Sequence, residues 1–587
     1  RSLGNGEATV RLSGGGDPTP LGLEAPPRLY VYGGADRAAV LKALSEGVEG
    51  GAGPSRLVLV AASEGERFAR AQQAKCHLEG GAPMPDGVVY RSAPLKGDTA
   101  AVFTGAAASY LGMGRELALA MPGAVAKLGQ RFGSMAGATR WSFGETAEPE
   151  HPLDQLWASA FLCQLHAELV RDVFGLRPDA TIGYSSGESN ALFASGAWRD
   201  LDAMIRECWE SPVFKDEIVG EQKAARRLWA KRGVADADRA EWRTWSVAAP
   251  VAAVREALEG EVSVHLTIIN APDDCVIGGE ALACERVIEG LGRARAMPLG
   301  YAMAAHCPEI GEIVEAWYGI HRRETFVVPG VRHYSAGSAT AFTAEPDVIA
   351  KAITAQAVDT LDFPRMIERA WADGVRVFIE HGPRGLCSGW IKKILGEREH
   401  LAVPMDVSGR SGVRQLANAA AALVAAGVSV DVEALHRALG VDAQPKKASG
   451  ATMKVPAHAP AIRLPAFETG VQVMAPAPKL VPVLGEEMPA VAAAPVAVVA
   501  APAVVMVPEP RPVAAAPAAM VGATNDIVAR AMAEQGRIAA IHRGYLEAQA
   551  TAHSRFLSLQ QNMLAGLLRA RGGVGTVAVA SSPVRSL

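Results

Sequence analysis

Short apolar segments alternate with stretches of helical periodicity from about residue 100 to residue 405 of the 587-residue chain, and this rhythm restricts the fold more than any other feature. The first apolar segment, at 100–103, reads Ala-Ala-Val-Phe, and a similar segment at 179–182 precedes another helical stretch. Strands that alternate with helices in this way form a parallel sheet covered by helices. We therefore predict an α/β fold with a parallel-sheet body.

Two smaller units accompany this body. Residues 28–95 contain two strand–helix pairs and predict a small α/β domain, whereas residues 244–299 follow the order βαββαβ, which predicts an inserted ferredoxin-like subdomain. The predicted organisation is a flexible segment at 1–26, a linker domain at 27–97, a large subdomain at 98–243 and 300–405, the ferredoxin-like subdomain at 244–299, an extension at 406–449, an Ala/Pro/Val linker at 450–522, a helix at 523–572 and a tail at 573–587.

The C-terminal fifth differs in composition from the rest of the chain. Prolines recur every few residues between about 450 and 520, which favours an extended, disordered linker. Apolar residues then return at steps of three and four between 525 and 570, which predicts an amphipathic helix. Arg555 and Asn562 fall where a heptad repeat needs apolar residues, so a dimeric coiled coil is not favoured.

Charge and cysteine content exclude several classes of protein. With 58 basic and 62 acidic residues interspersed, no electrostatic footprint for nucleic acid or an anionic membrane stands out. The seven cysteines include no CxxC pair, which argues against disulfides and a zinc site and favours a reducing cytoplasm. The apolar run at 491–507 contains prolines, so we predict no membrane span. The start, Arg-Ser-Leu-Gly, has neither an initiating Met nor a signal core, and we expect a piece of a larger polypeptide.

The pentapeptide at 183–187, Gly-Tyr-Ser-Ser-Gly, has the context of a nucleophile elbow. A short strand enters it at 179–182 and a helix-compatible stretch leaves it at 188–195. The glycines allow a sharp turn that holds Ser185 at the helix N-terminus, where the N–H of Ser186 could face a developing oxyanion. A bare G-x-S-x-G can also be a turn without chemistry, so the flanking elements carry the prediction.

A serine nucleophile needs a base within hydrogen-bond reach. Of the thirteen histidines, His306 is the candidate, because it directly follows the last predicted strand of the inserted subdomain, where the chain re-enters the main body.

Ordered motifs resemble the malonyl-CoA:acyl carrier protein acyltransferase family over residues 100–405. They are Phe103-Thr104-Gly105, Tyr110 to Leu117, Gly183 to Glu188, Asn270-Ala271-Pro272, Ala305-His306-Cys307-Pro308 and Phe378 to Gly385. The resemblance implies an α/β-hydrolase-like body, Ser185 as nucleophile and His306 as base. It also implies that the backbone carbonyl of Gln356 orients His306 and that the N–H groups of Ala106 and Ser186 form the oxyanion hole. Residues 28–95 resemble the linker domain that precedes acyltransferases in polyketide and fatty acid synthases.

Two departures from this family bear on the substrate. The family's G-Q-G-x-Q motif is replaced at 105–109 by Gly-Ala-Ala-Ala-Ser, which keeps a main-chain N–H at Ala106 but loses two glutamine side chains. The family's malonyl enzymes place a carboxylate-binding Arg 25 residues after the nucleophile, and the count gives Glu210 here. Loss of that cation disfavours malonate. Arg206, one helical turn earlier, is a possible substitute.

Small residues flank the predicted catalytic dyad of Ser185 and His306. Ser186 stands where malonyl enzymes commonly have Leu, and Ala304 and Ala305 precede His306. They leave room for a bulkier, uncharged acyl chain. Together with the Ala/Pro/Val linker and the following helix, these departures resemble the acyltransferase region of bacterial polyunsaturated fatty acid synthases.

The resemblance implies ping-pong acyl transfer through a Ser185 ester, with a long, non-carboxylated acyl group, and release of product to a thiol or to water. Donor and acceptor carry phosphopantetheine, as coenzyme A or acyl carrier protein, and no bound cofactor or metal is implied. Neighbouring ketosynthase or chain-length-factor modules are the expected partners, with no nucleic acid and no membrane. Malonyl loading and a catalytically inactive scaffold remain open alternatives.

Overall fold

The computed structural model describes residues 7–10, 25–80, 83–144, 148–441 and 453–456. The helix predicted at 523–572, the tail and most of the linker predicted at 450–522 lie outside the described residues. No helix in the described part of the chain combines the length and apolar character that a bilayer crossing requires.

The predicted linker domain contains both strand–helix pairs and one strand more. After β1 (Glu7–Val10), its elements are β2 (Arg28–Gly34), α1 (Arg37–Glu46), β3 (Ser55–Ala61), α2 (Glu64–Leu78) and β4 (Val88–Arg91). The three strands β2, β3 and β4 form an antiparallel sheet in that order, and β4 is the strand that the sequence analysis missed. Asp36 and Ser63 cap the two helices through their side chains, and this fixes where each helix begins.

The first half of the large subdomain leads to the predicted elbow. Its elements are β5 (Asp98–Phe103), α3 (Arg115–Ala120), α4 (Pro122–Arg131), α5 (Met135–Ala138), α6 (Pro152–Asp172), β6 (Ala180–Gly183), α7 (Gly187–Ser195), α8 (Leu201–Glu210) and α9 (Lys223–Lys231). Most residues of α6 are buried, because this 21-residue helix is apolar on almost all sides and lies inside the core.

The inserted subdomain has the predicted order of elements. They are β7 (Trp242–Val247), α10 (Val251–Ala257), β8 (Val264–Ala271), β9 (Asp274–Glu280), α11 (Ala281–Leu291) and β10 (Ala296–Pro298). The sheet runs β10-β7-β9-β8, and each neighbouring pair is antiparallel. The boundary predicted at residue 244 is two residues late, since β7 begins at Trp242, whose side chain is buried.

The second half of the large subdomain completes two sheets. Its elements are α12 (Val314–His321), β11 (Arg332–Tyr334), β12 (Ala341–Phe342), α13 (Pro346–Val358), β13 (Leu361–Asp362), α14 (Phe363–Ala372), β14 (Val375–His381), α15 (Leu386–Leu395) and β15 (Leu401–Pro404). The main sheet runs β12-β11-β6-β5-β14-β15, parallel except for the edge strand β12. The parallel α/β body is confirmed.

The inserted subdomain is joined to the large one by a shared strand. Strand β13 pairs in parallel with β8 as a fifth strand of the smaller sheet, and Thr360 Oγ1 donates to the Leu266 carbonyl at 2.6 Å. Leu361 is fully buried there. The sequence analysis treated the smaller sheet as four strands, because a two-residue strand has no detectable period.

The extension predicted at 406–449 contains α16 (Gly412–Ala425) and α17 (Val432–Leu439). It connects the linker domain to the body: Arg56 Nη1 donates to the Val424 carbonyl at 3.1 Å, and the Leu29 N–H donates to His436 Nε2 at 3.0 Å. A last strand, β16 (Met453–Pro456), pairs antiparallel with β1. Both segments were predicted to be unstructured, and the short ladder satisfies their backbone groups instead.

Candidate active site

The turn between β6 and α7 holds Ser185 in a strained backbone conformation. Its φ is 58°, in the left-handed region that residues with a Cβ rarely adopt. The two flanking glycines are required by contact: a Cβ on Gly183 would lie 2.1 Å from Glu188 Cα, and one on Gly187 would lie 2.0 Å from the Phe103 carbonyl oxygen. Strand, sharp turn and helix therefore pack too closely for any side chain at either position, as the elbow prediction requires.

His306 lies beside Ser185 although 121 residues separate them in sequence. Ser185 Oγ is 2.8 Å from His306 Nε2, and His306 Nδ1 is 2.6 Å from the Gln356 backbone carbonyl, which α13 presents. A carbonyl only accepts hydrogen bonds, so Nδ1 carries the proton and Nε2 offers its lone pair to the serine hydroxyl. The three predicted residues are thus brought together in the geometry of a nucleophile, a base and an orienting group.

Burial sets the protonation state of His306. Its side chain is 6% exposed, and burial lowers its pKa to about 4, against a smaller opposing effect of the Gln356 carbonyl. A histidine with this pKa is neutral throughout the neutral range. It is therefore already in the form that accepts a proton from Ser185.

We expect the rate of Ser185 labelling by a serine-directed reagent to stay constant from pH 7 down to about pH 5 and to fall by half near pH 4, because only neutral His306 accepts the proton. An unperturbed histidine would give a midpoint near pH 6.5. Labelling rates measured by mass spectrometry across this range, with circular dichroism at each pH to verify folding, check the prediction. A midpoint near 6.5 would contradict it.

The two predicted oxyanion donors lie next to each other, but only one of them is free. The Ser186 N–H, at the N-cap of α7, has no hydrogen-bond partner within the described residues. The Ala106 N–H, in the turn after β5, donates to Ser186 Oγ at 3.1 Å. Both N–H groups were predicted to be open, and this bond forms because the serine at 186, in place of the common Leu, supplies a hydroxyl acceptor.

Glu188 is a residue of the site to which the sequence analysis gave no role. Gln356 Nε2 donates to Glu188 Oε2 at 2.9 Å and lies 3.4 Å from the Ser185 carbonyl. The Ala336 N–H also donates to Glu188 Oε2, at 3.3 Å. Burial raises the pKa of Glu188 to about 8, so it is protonated at neutral pH and adds no charge beside His306. It holds Gln356, the residue predicted to orient His306.

An apolar cavity of about 140 Å³ opens at Ser185 and His306. It extends between the elbow, α8, α12 and the smaller sheet, and the described residues that line it include no Lys, Arg, Asp or Glu. The lining comprises, among others, Ala106, Ser186, Trp157, Phe193, Leu201, Met204, Cys208, Phe214, Tyr301, Ala305, Trp317 and Ile353. Such a space suits an uncharged, apolar group.

The predicted substrate-binding residues Glu210 and Arg206 are not among the described residues that line this cavity. Helix α8 faces the cavity with Leu201, Met204 and Cys208, spaced by three and four residues. Residues 206 and 210 each lie two positions beyond one of these, on the opposite side of the helix, and both are exposed. Counting 25 residues from Ser185 located the right helix but not its inner face. The exposed charge of Glu210 therefore does not contribute to the lining of this cavity, whereas Ala305 does line it.

One of the buried polar residues that line this mainly apolar cavity, His321, was also missed. His321, at the end of α12, donates from Nδ1 to the Trp317 carbonyl at 2.8 Å, and burial lowers its pKa to about 4. Neutral His321 therefore adds no cation to the cavity. The signal in the sequence was a histidine one helical turn after a tryptophan, which by itself is not specific.

Comparison with known proteins identifies both long synthase polypeptides and a short, separate enzyme as relatives. No protein-family model matches the chain. The chain is 26% identical over 252 residues to a polyunsaturated fatty acid synthase polypeptide of Thraustochytrium sp., a match that covers 40% of this chain and 12% of that protein. It is 29% identical over 316 residues to malonyl CoA-acyl carrier protein transacylase of Bacillus subtilis, covering 51% of this chain and 92% of that one. The matched region is thus a small fraction of the synthase polypeptide and almost all of the transacylase.

Solved structures agree on the fold. The acyltransferase domain from module 8 of the salinomycin polyketide synthase superposes with a TM-score of 0.54 at 20% identity, over 70% of this chain and 98% of that one. The domain from the second module of the same synthase gives 0.51 at 22% identity, over 70% and 91%. The chain therefore has the fold of acyltransferase domains. In sequence it is similar to a malonyl CoA-acyl carrier protein transacylase and to a segment of a polyunsaturated fatty acid synthase, which confirms the predicted resemblance.

Proposed function

We propose that the chain is an acyltransferase region of a fatty acid or polyketide synthase that carries an uncharged, predominantly apolar acyl group as an ester of Ser185. The observation that carries this proposal is the cavity beside the dyad, whose described lining contains no cation for a malonyl carboxylate. Pairing a carboxylate with a buried cation is worth about 1.5 to 3 kcal/mol, and an unpaired carboxylate costs more. An apolar chain gains free energy in the same space.

The dyad geometry supports a ping-pong route. His306 Nε2 takes the Ser185 proton as Oγ attacks the thioester carbonyl, and collapse of the tetrahedral intermediate expels the thiol, which takes the proton from His306. The ester then passes to the phosphopantetheine thiol of an acyl carrier protein, or to water if product is released. Neighbouring ketosynthase or chain-length-factor modules in a cytoplasmic multienzyme would supply the acyl group. The chemistry uses this chain's own residues.

Intact-mass measurement after incubation with malonyl-CoA, acetyl-CoA, a long-chain acyl-CoA and the matching acyl carrier protein thioesters tests the proposal. We expect a stable adduct with the long-chain donor that is absent in Ser185→Ala. A malonyl adduct of equal or greater yield would establish extender loading, in keeping with the Bacillus subtilis relative. No adduct with any donor would favour an inactive scaffold. Glu210→Gln serves as the matched control for charge, and it should alter no yield because Glu210 is exposed.

Met204→Trp should separate long donors from short ones. Met204 lies on the inner face of α8 and lines the cavity, so the larger indole fills space that a long acyl chain needs. We expect kcat/KM for the long-chain donor to fall by about tenfold or more, while acetyl transfer changes by less than threefold. Trp209→Ala, on the outward side of α8, is the control. An equal loss with both donors would show that the cavity does not hold the chain.

A further inference from the structure

The hydroxyl of Ser186 has an arrangement that the mechanism above does not use. Its oxygen accepts the Ala106 N–H at 3.1 Å, and within the described residues its own hydrogen has no acceptor. The residue also lines the cavity next to Ser185. A polar hydrogen is therefore available at the mouth of an apolar space, close to the nucleophile.

This hydroxyl oxygen accepts the Ala106 N–H, one of the two N–H groups that the family resemblance assigns to the oxyanion hole. The turn after β5 approaches the elbow so closely that a Cβ on Gly105 would lie 3.1 Å from the Tyr184 carbonyl oxygen. This close approach directs the Ala106 N–H toward the start of α7, where Ser186 Oγ accepts its hydrogen bond. An acyl oxygen that approached the Ala106 N–H would therefore lie beside the Ser186 hydroxyl.

We propose that the Ser186 hydroxyl donates directly to the oxyanion and that the Ala106 N–H acts through it. The hole then consists of the Ser186 N–H and the Ser186 Oγ–H, with Ala106 as a positioning residue. An amide that donates to a hydroxyl oxygen polarises the hydroxyl and makes it a stronger donor. This inference rests on the proposed function only in that Ser185 is the nucleophile.

The step balances without any further reactant. Ser185 Oγ forms a bond to the acyl carbon, its proton moves to His306 Nε2, and the carbonyl π electrons move to the oxygen that Ser186 then stabilises. On collapse, that electron pair re-forms the carbonyl and the thiol leaves with the proton from His306. The Ser186 hydroxyl keeps its proton throughout. It is a hydrogen-bond donor and not an acid.

The competing possibility is that Ser186 Oγ blocks the hole and must rotate away before reaction. The two cases predict opposite changes in the rate of attack by Ser185 when the hydroxyl is removed. If Ser186 is a donor, Ser186→Ala slows attack on Ser185-directed electrophiles, since removing one such donor typically costs about 10²-fold or more. If Ser186 Oγ instead blocks the oxyanion hole, the same variant exposes the Ala106 N–H and speeds the reaction.

A fluorophosphonate distinguishes these cases without requiring the natural acyl donor. Ser185 Oγ attacks phosphorus, fluoride leaves, and the phosphoryl oxygen occupies the oxyanion position, so the second-order labelling rate measured by intact mass reports the hole. We expect Ser186→Ala to label more slowly than the unmodified chain by about 10²-fold or more. Ser186→Thr, which keeps a hydroxyl, should label within about threefold of it. Ser195→Ala should leave the rate unchanged, because its hydroxyl bonds to the Leu192 carbonyl at the far end of the same helix.

Equal or faster labelling of Ser186→Ala would overturn the donor role, provided that its melting temperature matches that of the unmodified chain. Such a result would leave the proposed function intact, since the thioester adducts of Ser185 are measured separately. Absence of labelling in the unmodified chain, or labelling that persists in Ser185→Ala, would instead refute Ser185 as the nucleophile and remove both proposals. Loss of labelling in Ser186→Thr as well as Ser186→Ala would also contradict the donor role.

Discussion

His306→Ala is expected to lower the rate of Ser185 acylation by about 10⁴-fold to 10⁶-fold. The reason is the 2.8 Å contact between Ser185 Oγ and His306 Nε2, which gives the hydroxyl its only described acceptor. Without it, the serine must lose its proton to water. Single-turnover acylation by the best thioester donor, followed by intact mass, measures the effect.

His400→Ala is the matched control for this experiment. Its Nδ1 also bonds to a backbone carbonyl, that of Arg398 at 2.7 Å, but it lies before β15 and does not line the cavity. We expect its acylation rate to stay within about twofold of the unmodified rate. A loss of less than about tenfold in His306→Ala would show that another group accepts the proton, and the dyad assignment would then be wrong.

The sequence predicted the elements of this site better than their contacts. Strand, turn and helix around Ser185 could be located because glycine spacing and apolar runs are local signals. His306 was found by its position after the last strand of the inserted subdomain. The parallel order of the main sheet followed from the alternation of strands and helices.

Features that depend on which way a side chain faces escaped prediction. Glu210 was selected by a count from Ser185, yet only the inner face of α8 contributes to the cavity, through positions such as Met204 and Cys208. One helical position rotates a side chain by about 100°, so a count that is correct to two residues can still select the wrong face. The lining of the cavity, and not the charge of Glu210, therefore supports the proposed uncharged substrate.

Long-range polar contacts form the second class of missed features. Glu188 and Gln356 are 168 residues apart, and their hydrogen bond exists because α13 packs beside the elbow. Neither a buried neutral carboxyl nor a capped Ala106 N–H leaves a trace in a local pattern. Both contacts connect the proposed base and the proposed oxyanion hole to residues that the sequence indicates only as parts of helices or turns.

Gly187→Ala is expected to damage folding and activity together. The added methyl would lie 2.0 Å from the Phe103 carbonyl oxygen, which is backbone of the central strand β5 and cannot move without shifting the sheet. We expect the free energy of unfolding to fall by about 3 kcal/mol. We expect the rate of Ser185 acylation in the remaining folded protein to fall by about 10²-fold, since a displacement of about 1 Å at the nucleophile has that effect. Thermal unfolding and active-site titration with the fluorophosphonate separate the two losses.

Gly290→Ala is the matched substitution for Gly187→Ala because it adds the same methyl where there is room. Gly290 lies in α11, and a Cβ added there would have no neighbouring atom within 4 Å, so the helix gains propensity and no contact is strained. This variant should be as stable as the unmodified chain or more stable by about 0.5 to 1 kcal/mol, with unchanged acylation. If Gly187→Ala behaved in the same way, β5 and α7 would not be packed as closely as the elbow geometry requires, and the strained conformation of Ser185 would lose its structural cause.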